Sequence, residues 1–517
     1  MYKVIKKDIC YIIVSCILFG IVAHGFFMMN NFVFHDAIGS FWGESPIIVL
    51  SGRWLLALLE YVMEIIQGGS NYQTPLFFGV VTFLFVSAII YLIVKVLGIK
   101  DKKYIVILSG YMVVFPSITS LFFYMYTAPF YMVGYLICLI GSCLVYYARI
   151  NKNIKEYVIG IILLVSSIGI YQANLSIAIS FILLCLIKDM IELREELTIK
   201  KLVSLCIYFV VTLILSLILY LIITKITMIV LQKELWDYAG INSFGVTSIN
   251  GYVKRIAKAY REFLWPTSDA RTNMYPTFAM VLYQMMLILS VILTGLMSIY
   301  LYRKSIVNMV AYIMFVLVLP LACNFIYVIN DESAYGITLY SEVFFAIYVV
   351  SMLKHKEVLC DINKKISLIL TRSLMILIGM LVIFFCKFDN DCYLKADILQ
   401  KQEISYYTNL ISSIKNCDGY TDEKRIVWVG EFNKTDKSMT RYDQFEKTNI
   451  LPLNNLDEII NDYLWRKDLK LLCGFDPIVE EYDEDKHKDE IKEMPCYPDR
   501  GSIKCVEDYI IVKFAEP

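Results

Sequence analysis

Two charged side chains near the start of the chain, Asp36 and Arg53, are of the types needed to move a group onto a hydroxyl. They belong to a stretch that reads Asn31-Phe32-Val33-Phe34-His35-Asp36-Ala37, then Phe41-Trp42-Gly43-Glu44, then Ser51-Gly52-Arg53-Trp54. A carboxylate can take the proton from an attacking hydroxyl. An arginine can stabilise a departing phosphate through charge-assisted hydrogen bonds. Just above a bilayer, such a pair suits chemistry on a lipid phosphate, whose substituent sits at headgroup depth. The same residues admit a plainer reading, in which Asp36 caps a local turn and Arg53 anchors a helix to lipid phosphates.

The flanking elements decide where these groups lie. An apolar segment over 9–29 follows Lys3, Lys6 and Lys7, as in a signal peptide, but continues into Phe26-Phe27-Met28-Met29 with no small-x-small cleavage site. It reads as a retained membrane anchor. After the loop, Arg53, Ala57, Glu60, Glu64 and Gln67 share one face of a helix over 53–67, and the opposite face is Leu, Val, Met and Ile. Such a helix is too short and too charged to span. It belongs in the interface, with Asp36 and Arg53 at headgroup depth.

Composition agrees. Of 517 residues, 58% are hydrophobic and only 19% charged, against about 25% charged in a soluble domain, and many of the charges follow residue 387. The net charge of zero gives no reason to expect nucleic acid as a partner. No CxxC pair occurs among the 14 cysteines, so zinc and thioredoxin-like chemistry have no support. Cys392, Cys417, Cys473, Cys496 and Cys505 fall in the C-terminal polar region, where a disulfide is conceivable but the spacing is uninformative.

Eleven stretches approach the roughly 20 apolar residues that a span needs: 9–29, 74–97, 104–124, 129–148, 156–172, 173–187, 202–230, 280–302, 306–329, 336–353 and 366–386. Those over 156–172 and 173–187 form either a tight hairpin or one bent helix, joined through Tyr171-Gln172-Ala173-Asn174. Every second connection is basic: Lys95 to Lys103, Arg149 to Lys155, Lys188 to Lys201, Arg303 and Lys304, and Lys354 to Lys365. The positive-inside rule places these, and the N-terminus, in the cytoplasm. Segments 30–73, 231–279 and 387–517 then face out. The expected fold is mainly α, a polytopic membrane part over 1–386 with interfacial helices in its outer loops. A small extracytoplasmic α/β domain over 387–517 follows, with a helix over 391–416, a second over Leu456 to Trp465, and strands at Arg425 to Gly430 and Tyr509 to Phe514. The acidic stretch 479–490 reads as a loop.

Residues 249–264 give a second amphipathic helix, with Lys254, Arg255, Lys258, Arg261 and Glu262 off the apolar stripe. These basic residues, against the inside bias, suit a lipid phosphate or an anionic acceptor, or simply anchor the helix by snorkelling. Arg271 is a further phosphate candidate. Gln172 and Asn174 serve either the hairpin or a substrate, and Asp331 and Glu332 read as solvated turn residues or as support for an active site. The C-terminal region has no GxGxxG, P-loop or GxSxG.

The N-terminal helix, the outer-loop Asp, Ser-Gly-Arg-Trp-Leu opening an interfacial helix, Phe115-Pro116-Ser117, Tyr124 to Tyr131 (YMYTAPFY) and Tyr171-Gln172-Ala173 together resemble the bacterial type II glucosyltransferase family associated with O-antigen serotype conversion. That family lies within the C-class (GT-C) polytopic membrane glycosyltransferases. The resemblance covers most of the membrane part and the start of the C-terminal domain. It implies a polyprenyl-phosphate-linked hexose donor, glucose first, and an extracytoplasmic glycan or lipid-linked acceptor. It also implies direct transfer with inversion, in the bacterial inner membrane. The family's first-loop acid maps onto Asp36 as general base. Where the superfamily often has a second acid, this chain has His35, with Glu44 next, so either Glu44 assists or His35 orients Asp36. Arg53, Arg255 and Arg271 would hold the donor phosphate, and Trp54, Tyr171 and Gln172 would line the substrate. A monophosphate leaving group does not demand a divalent metal, and His24 and His35 are too few to be ligands; no cofactor is expected.

Two other classes compete: a carrier or flippase of lipid-linked sugars, and a noncatalytic membrane component of envelope assembly. A carrier concentrates ionisable groups at mid-membrane and often shows inverted repeats with broken helices. Here acid and arginine gather in outer loops, which favours the enzyme.

Overall fold

The computed structural model describes residues 2–43, 46–193, 197–236, 247–266, 274–275, 277–329, 334–432, 460 and 463–517. Helices dominate: α1 (Tyr2–Met29), α2 (Asp36–Gly39), α3 (Pro46–Leu50), α4 (Trp54–Gln67), α5 (Pro75–Leu97), α6 (Lys102–Val113), α7 (Pro116–Phe122), α8 (Ala128–Asn151), α9 (Ile154–Ile170) and α10 (Asn174–Glu192). After these come α11 (Ile199–Leu231), α12 (Ile249–Leu264), α13 (Thr277–Lys304), α14 (Ile306–Cys323), α15 (Ile326–Ile329), α16 (Val343–Leu353) and α17 (Lys356–Lys415). The chain ends in β1 (Arg425–Val429), α18 (Trp465–Cys473), β2 (Val479–Glu480), α19 (Glu484–Ile491), β3 (Ile503–Val506) and β4 (Tyr509–Lys513).

Each of the eleven apolar stretches is helical. Among the described residues eight helices are long and apolar enough to cross a membrane, and α6 with α7 qualifies as a bent pair. The stretch over 104–124 is thus not one straight helix but two, bent by 44°. Pro116 is the reason. It has no N–H to give and disfavours helical backbone at the preceding residue, and Phe115 is extended at φ −64°, ψ 131°. The two weak stretches resolve into separate helices, α9 and α10, broken at an extended Tyr171 (φ −155°, ψ 123°).

Three of the basic connections meet at one end of the bundle. Lys188 donates to the carbonyl of Val96 and Lys354 to that of Leu97, each at 2.5 Å. Lys354 also pairs with Glu192 at 2.9 Å, and the Tyr104 hydroxyl reaches the Leu353 carbonyl at 3.3 Å. Cations on the last carbonyls of α5 offset the negative end of that helix. Helix α17 starts at this end and leaves at the other. From Asn363 it runs 53 residues, about 80 Å at 1.5 Å per residue, far more than ~30 Å of hydrocarbon. Its buried Phe388, Tyr393 and Leu399 belong to the bundle core, whereas Tyr407, Leu410 and Ile414 belong to the core of the C-terminal sheet.

That sheet has the order β2-β1-β4-β3, with β1 parallel to both neighbours and β3 antiparallel to β4. Strands Arg425–Val429 and Tyr509–Lys513 lie where the sequence places them. The helix expected over Leu456 to Trp465 falls almost wholly outside the described residues, and the described helix there is α18. The acidic stretch is a correction: residues 484–491 form helix α19, not loop. Asp483 caps it by accepting from the Asp485 amide, Glu484 and Asp485 complement its positive end, and Lys488 pairs with Glu484 one turn back.

Candidate active site

Asp36 opens α2 at the end of the bundle opposite the basic connections. The residue before it adopts φ 52°, ψ −133°, a left-handed conformation that costs a non-glycine residue about 1–3 kcal/mol. This turn folds the His35 ring back onto the next residue. His35 Nδ1 lies 2.7 Å from Asp36 Oδ1 and 2.8 Å from the Asp36 amide nitrogen. One ring nitrogen cannot donate to the first and accept from the second. An ionised carboxylate is the stronger partner, so Nδ1 carries the proton and the amide is merely close.

A second donor comes from far along the chain. The Tyr463 hydroxyl donates to the same Oδ1 at 2.6 Å, and its ring meets the His35 ring edge-on at 5.5 Å. Oδ2 accepts no hydrogen bond among the described residues. Burial pushes the Asp36 carboxyl up, but the hydrogen bond and charge of His35, the Tyr463 hydroxyl and the Arg53 charge together bring it below its ordinary value. The side chain is 36% exposed. It is a carboxylate held toward its ionised form and open to solvent.

Arg53 is set by the turn before α4. Gly52 has φ +81°, which an L side chain rarely adopts. Gln172 donates to the Ser51 carbonyl at 2.7 Å and to the Tyr220 hydroxyl at 3.0 Å, and Tyr220 donates to the Gly52 carbonyl at 3.2 Å. From this clasped turn the Arg53 guanidinium donates to the Tyr131 hydroxyl at 3.3 Å and lies 5.0 Å from the centre of the Tyr171 ring. Tyr131 and Tyr171 are themselves edge to face at 4.6 Å. They front a small cleft that Ser117, Tyr135, Asn174 and Tyr340 line more deeply. Along α4, Glu60 is buried while Leu58, Tyr61, Ile65 and Ile66 are exposed. The polar face of this helix therefore packs on the protein and the apolar face points outward, as an interfacial helix requires.

The structure thus brings together Asp36, His35, Arg53 and Tyr171 from the sequence reading. It gives others scaffold contacts. Gln172 holds the Ser51–Gly52 turn. The Trp54 indole packs on Gly169 so closely that no Cβ fits there. Arg255 is buried and turned to the last carbonyls of α15, Val328 at 3.2 Å and Ile329 at 3.4 Å. On α12 the face carrying Arg255 and Glu262 packs inward and Ile249, Val253 and Leu264 are exposed. Glu44 and Arg271 lie outside the described residues, as do Asp331 and Glu332. Among the described residues no group of three or more His, Cys, Asp or Glu could hold a metal ion. Tyr463, Tyr131 and Tyr220 were not singled out in the sequence; only Tyr131 carried a signal, the aromatic run from Tyr124.

Among known proteins, no curated protein and no solved structure matches the chain. A family model does. Residues 25–355 match glucosyl transferase GtrII, a segment that holds Asp36, Arg53 and Tyr171 and more than half of the chain. The chain is a multi-pass membrane protein that belongs to this glucosyltransferase family.

Proposed function

We propose that the chain moves a hexose, glucose by its family, from a polyprenyl-phosphate donor to a hydroxyl of an extracytoplasmic glycan or lipid-linked acceptor, with inversion at the sugar carbon. The lysine-rich end faces the cytoplasm by the positive-inside rule. This puts α2, α4 and the domain over 387–517 on the outer side of the bacterial inner membrane. The outward apolar face of α4 then lies in the outer leaflet, and the donor's lipid chain enters beside it.

One observation carries this reading: an ionised, reachable Asp36 carboxylate held by His35 within the field of Arg53. As the acceptor oxygen bonds to the anomeric carbon, Asp36 takes its proton. The bond from that carbon to the phosphate oxygen breaks on the opposite side. The departing lipid phosphate gains one negative charge, which Arg53 offsets. Direct displacement needs a single base and no covalent sugar–enzyme intermediate. The reading asks for no cofactor.

The test is Asp36→Asn, assayed in membranes with radiolabelled polyprenyl-phosphate-glucose and the cell's own envelope glycan fraction. Removal of a general base should slow transfer by about 10²–10⁴-fold. Transfer at the normal rate, with normal protein level, would eliminate Asp36 as the base.

A further inference from the structure

The family match ends at residue 355, yet a hydroxyl from beyond it touches the candidate base. We infer that Tyr463 is a positioning residue of the site, and that it and His35 together fix one carboxylate oxygen of Asp36 so that the other faces the acceptor. The C-terminal domain thereby completes the acceptor side. This rests on the proposed role of Asp36.

The geometry is specific. Both donors converge on Oδ1, His35 Nδ1 at 2.7 Å and the Tyr463 hydroxyl at 2.6 Å. A carboxylate gripped through one oxygen cannot rotate freely about its last bond, and the ungripped oxygen keeps lone pairs for a proton. The contact is part of a wider docking. Helix α18, just after Tyr463, packs on α2, and Lys470 lies 5.9 Å from the centre of the Trp42 ring. At its other side α18 packs on α17, the long helix that links bundle to sheet. Tyr463 is 60% exposed, which is unusual for a residue with a purely packing role. An aromatic ring bordering a reactive carboxylate and open to solvent also suits a sugar acceptor, whose apolar face stacks on such rings. Among the described residues, other charged or titratable groups around Asp36 include Arg53 from the turn before α4 and Tyr126 from the turn between α7 and α8.

Tyr463→Phe keeps the ring against His35 and removes only the hydroxyl. Two measurements on the full-length protein read the result. The first needs no catalysis. A water-soluble carbodiimide adds to a protonated carboxyl to give an O-acylisourea, which glycine ethyl ester converts to an amide with release of a urea. Mass spectrometry of the peptide containing Asp36 follows this labelling. With Tyr463 in place Asp36 stays ionised and reacts slowly; in Tyr463→Phe labelling at mildly acid pH should rise several-fold. Unchanged labelling would overturn the contact. The second is transfer of radiolabelled glucose to the envelope glycan fraction across pH. The acid limbs of kcat and kcat/KM should both move to higher pH, and the plateau of kcat should fall several-fold. A merely structural tyrosine would move neither limb, and that result would overturn the positioning role. Should Asp36→Asn transfer normally, the base assignment fails on its own terms, while the labelling experiment still decides whether Tyr463 holds Asp36.

Discussion

The hydroxyl of Tyr220 donates to the carbonyl of Gly52 across 168 residues of chain, at 3.2 Å. This bond links α11 to the turn that aims Arg53. A Cβ on Gly52 would lie 2.6 Å from that hydroxyl, on a backbone with φ +81°. Gly52→Ala therefore meets both strain and a clash. It should destabilise the protein by about 1–3 kcal/mol and reduce transfer, because the turn can relax only by moving Arg53. Tyr220→Phe removes one hydrogen bond and should cost only about 1 kcal/mol. Thermal unfolding in detergent, with transfer assayed on the same samples, checks the ranking.

The Arg53 guanidinium donates to the Tyr131 hydroxyl and lies over the Tyr171 ring. Lysine keeps the charge but not the fork or the stacking. If the guanidinium meets charge that develops on the leaving phosphate, Arg53→Lys should lower kcat more than it raises the donor KM. A loss of about 10²-fold is expected by comparison with removal of one oxyanion donor. A raised KM with kcat intact would assign Arg53 to ground-state binding.

Asp36 and Arg53 were legible because local pattern announced them. Ser-Gly-Arg-Trp opens a helix whose polar stripe starts at Arg53, and Glu60 in the middle of that stripe is buried against the protein. The break at Pro116 was legible in the residue and missed in the span, since hydropathy counts apolar residues and ignores missing N–H groups. The burial of Arg255 was not legible for another reason. A basic amphipathic helix reads as presenting its cations outward, and Lys254 and Arg261 are exposed, but Arg255 is buried and donates to the α15 carbonyls. Tyr463 had no local signal: it meets Asp36 across 427 residues of sequence separation, and only the path of α17 brings them together. Residues 484–491 read as a loop by composition, and their helix is supported by the Asp483 cap and the Glu484–Lys488 pair.

The placement of Asp36 and Tyr463 on one side makes a topological forecast. Single cysteines at Asn31 and Tyr463, in a chain cleared of its own accessible cysteines, should react with a membrane-impermeant maleimide added to intact spheroplasts. Cysteines at Lys102 and Lys200 should react only after the membrane is opened. The reverse pattern would place the base in the cytoplasm and end the proposal of an outer-side acceptor.

His35 serves Asp36 twice, through a hydrogen bond and through its charge, and both lower the carboxyl against the opposing effect of burial. His35→Ala leaves burial less opposed, so the Asp36 pKa must rise. The acid limb of kcat/KM for transfer, which reports the free enzyme, should therefore move to higher pH. Stability follows the same sign. A carboxyl lowered in the folded state stabilises the protein above its unfolded pKa, and that contribution is lost as pH falls through the folded pKa. The His35→Ala protein should hold less of it. The backbone separates chemistry from strain. At φ 52° alanine keeps the strain of the turn and glycine relieves it, so His35→Gly should be more stable than His35→Ala by about 1 kcal/mol. Both variants should share the displaced acid limb, because neither can donate to Oδ1. If His35→Gly regained the wild-type pH profile, the imidazole would have no part in holding Asp36 ionised, and its turn alone would matter.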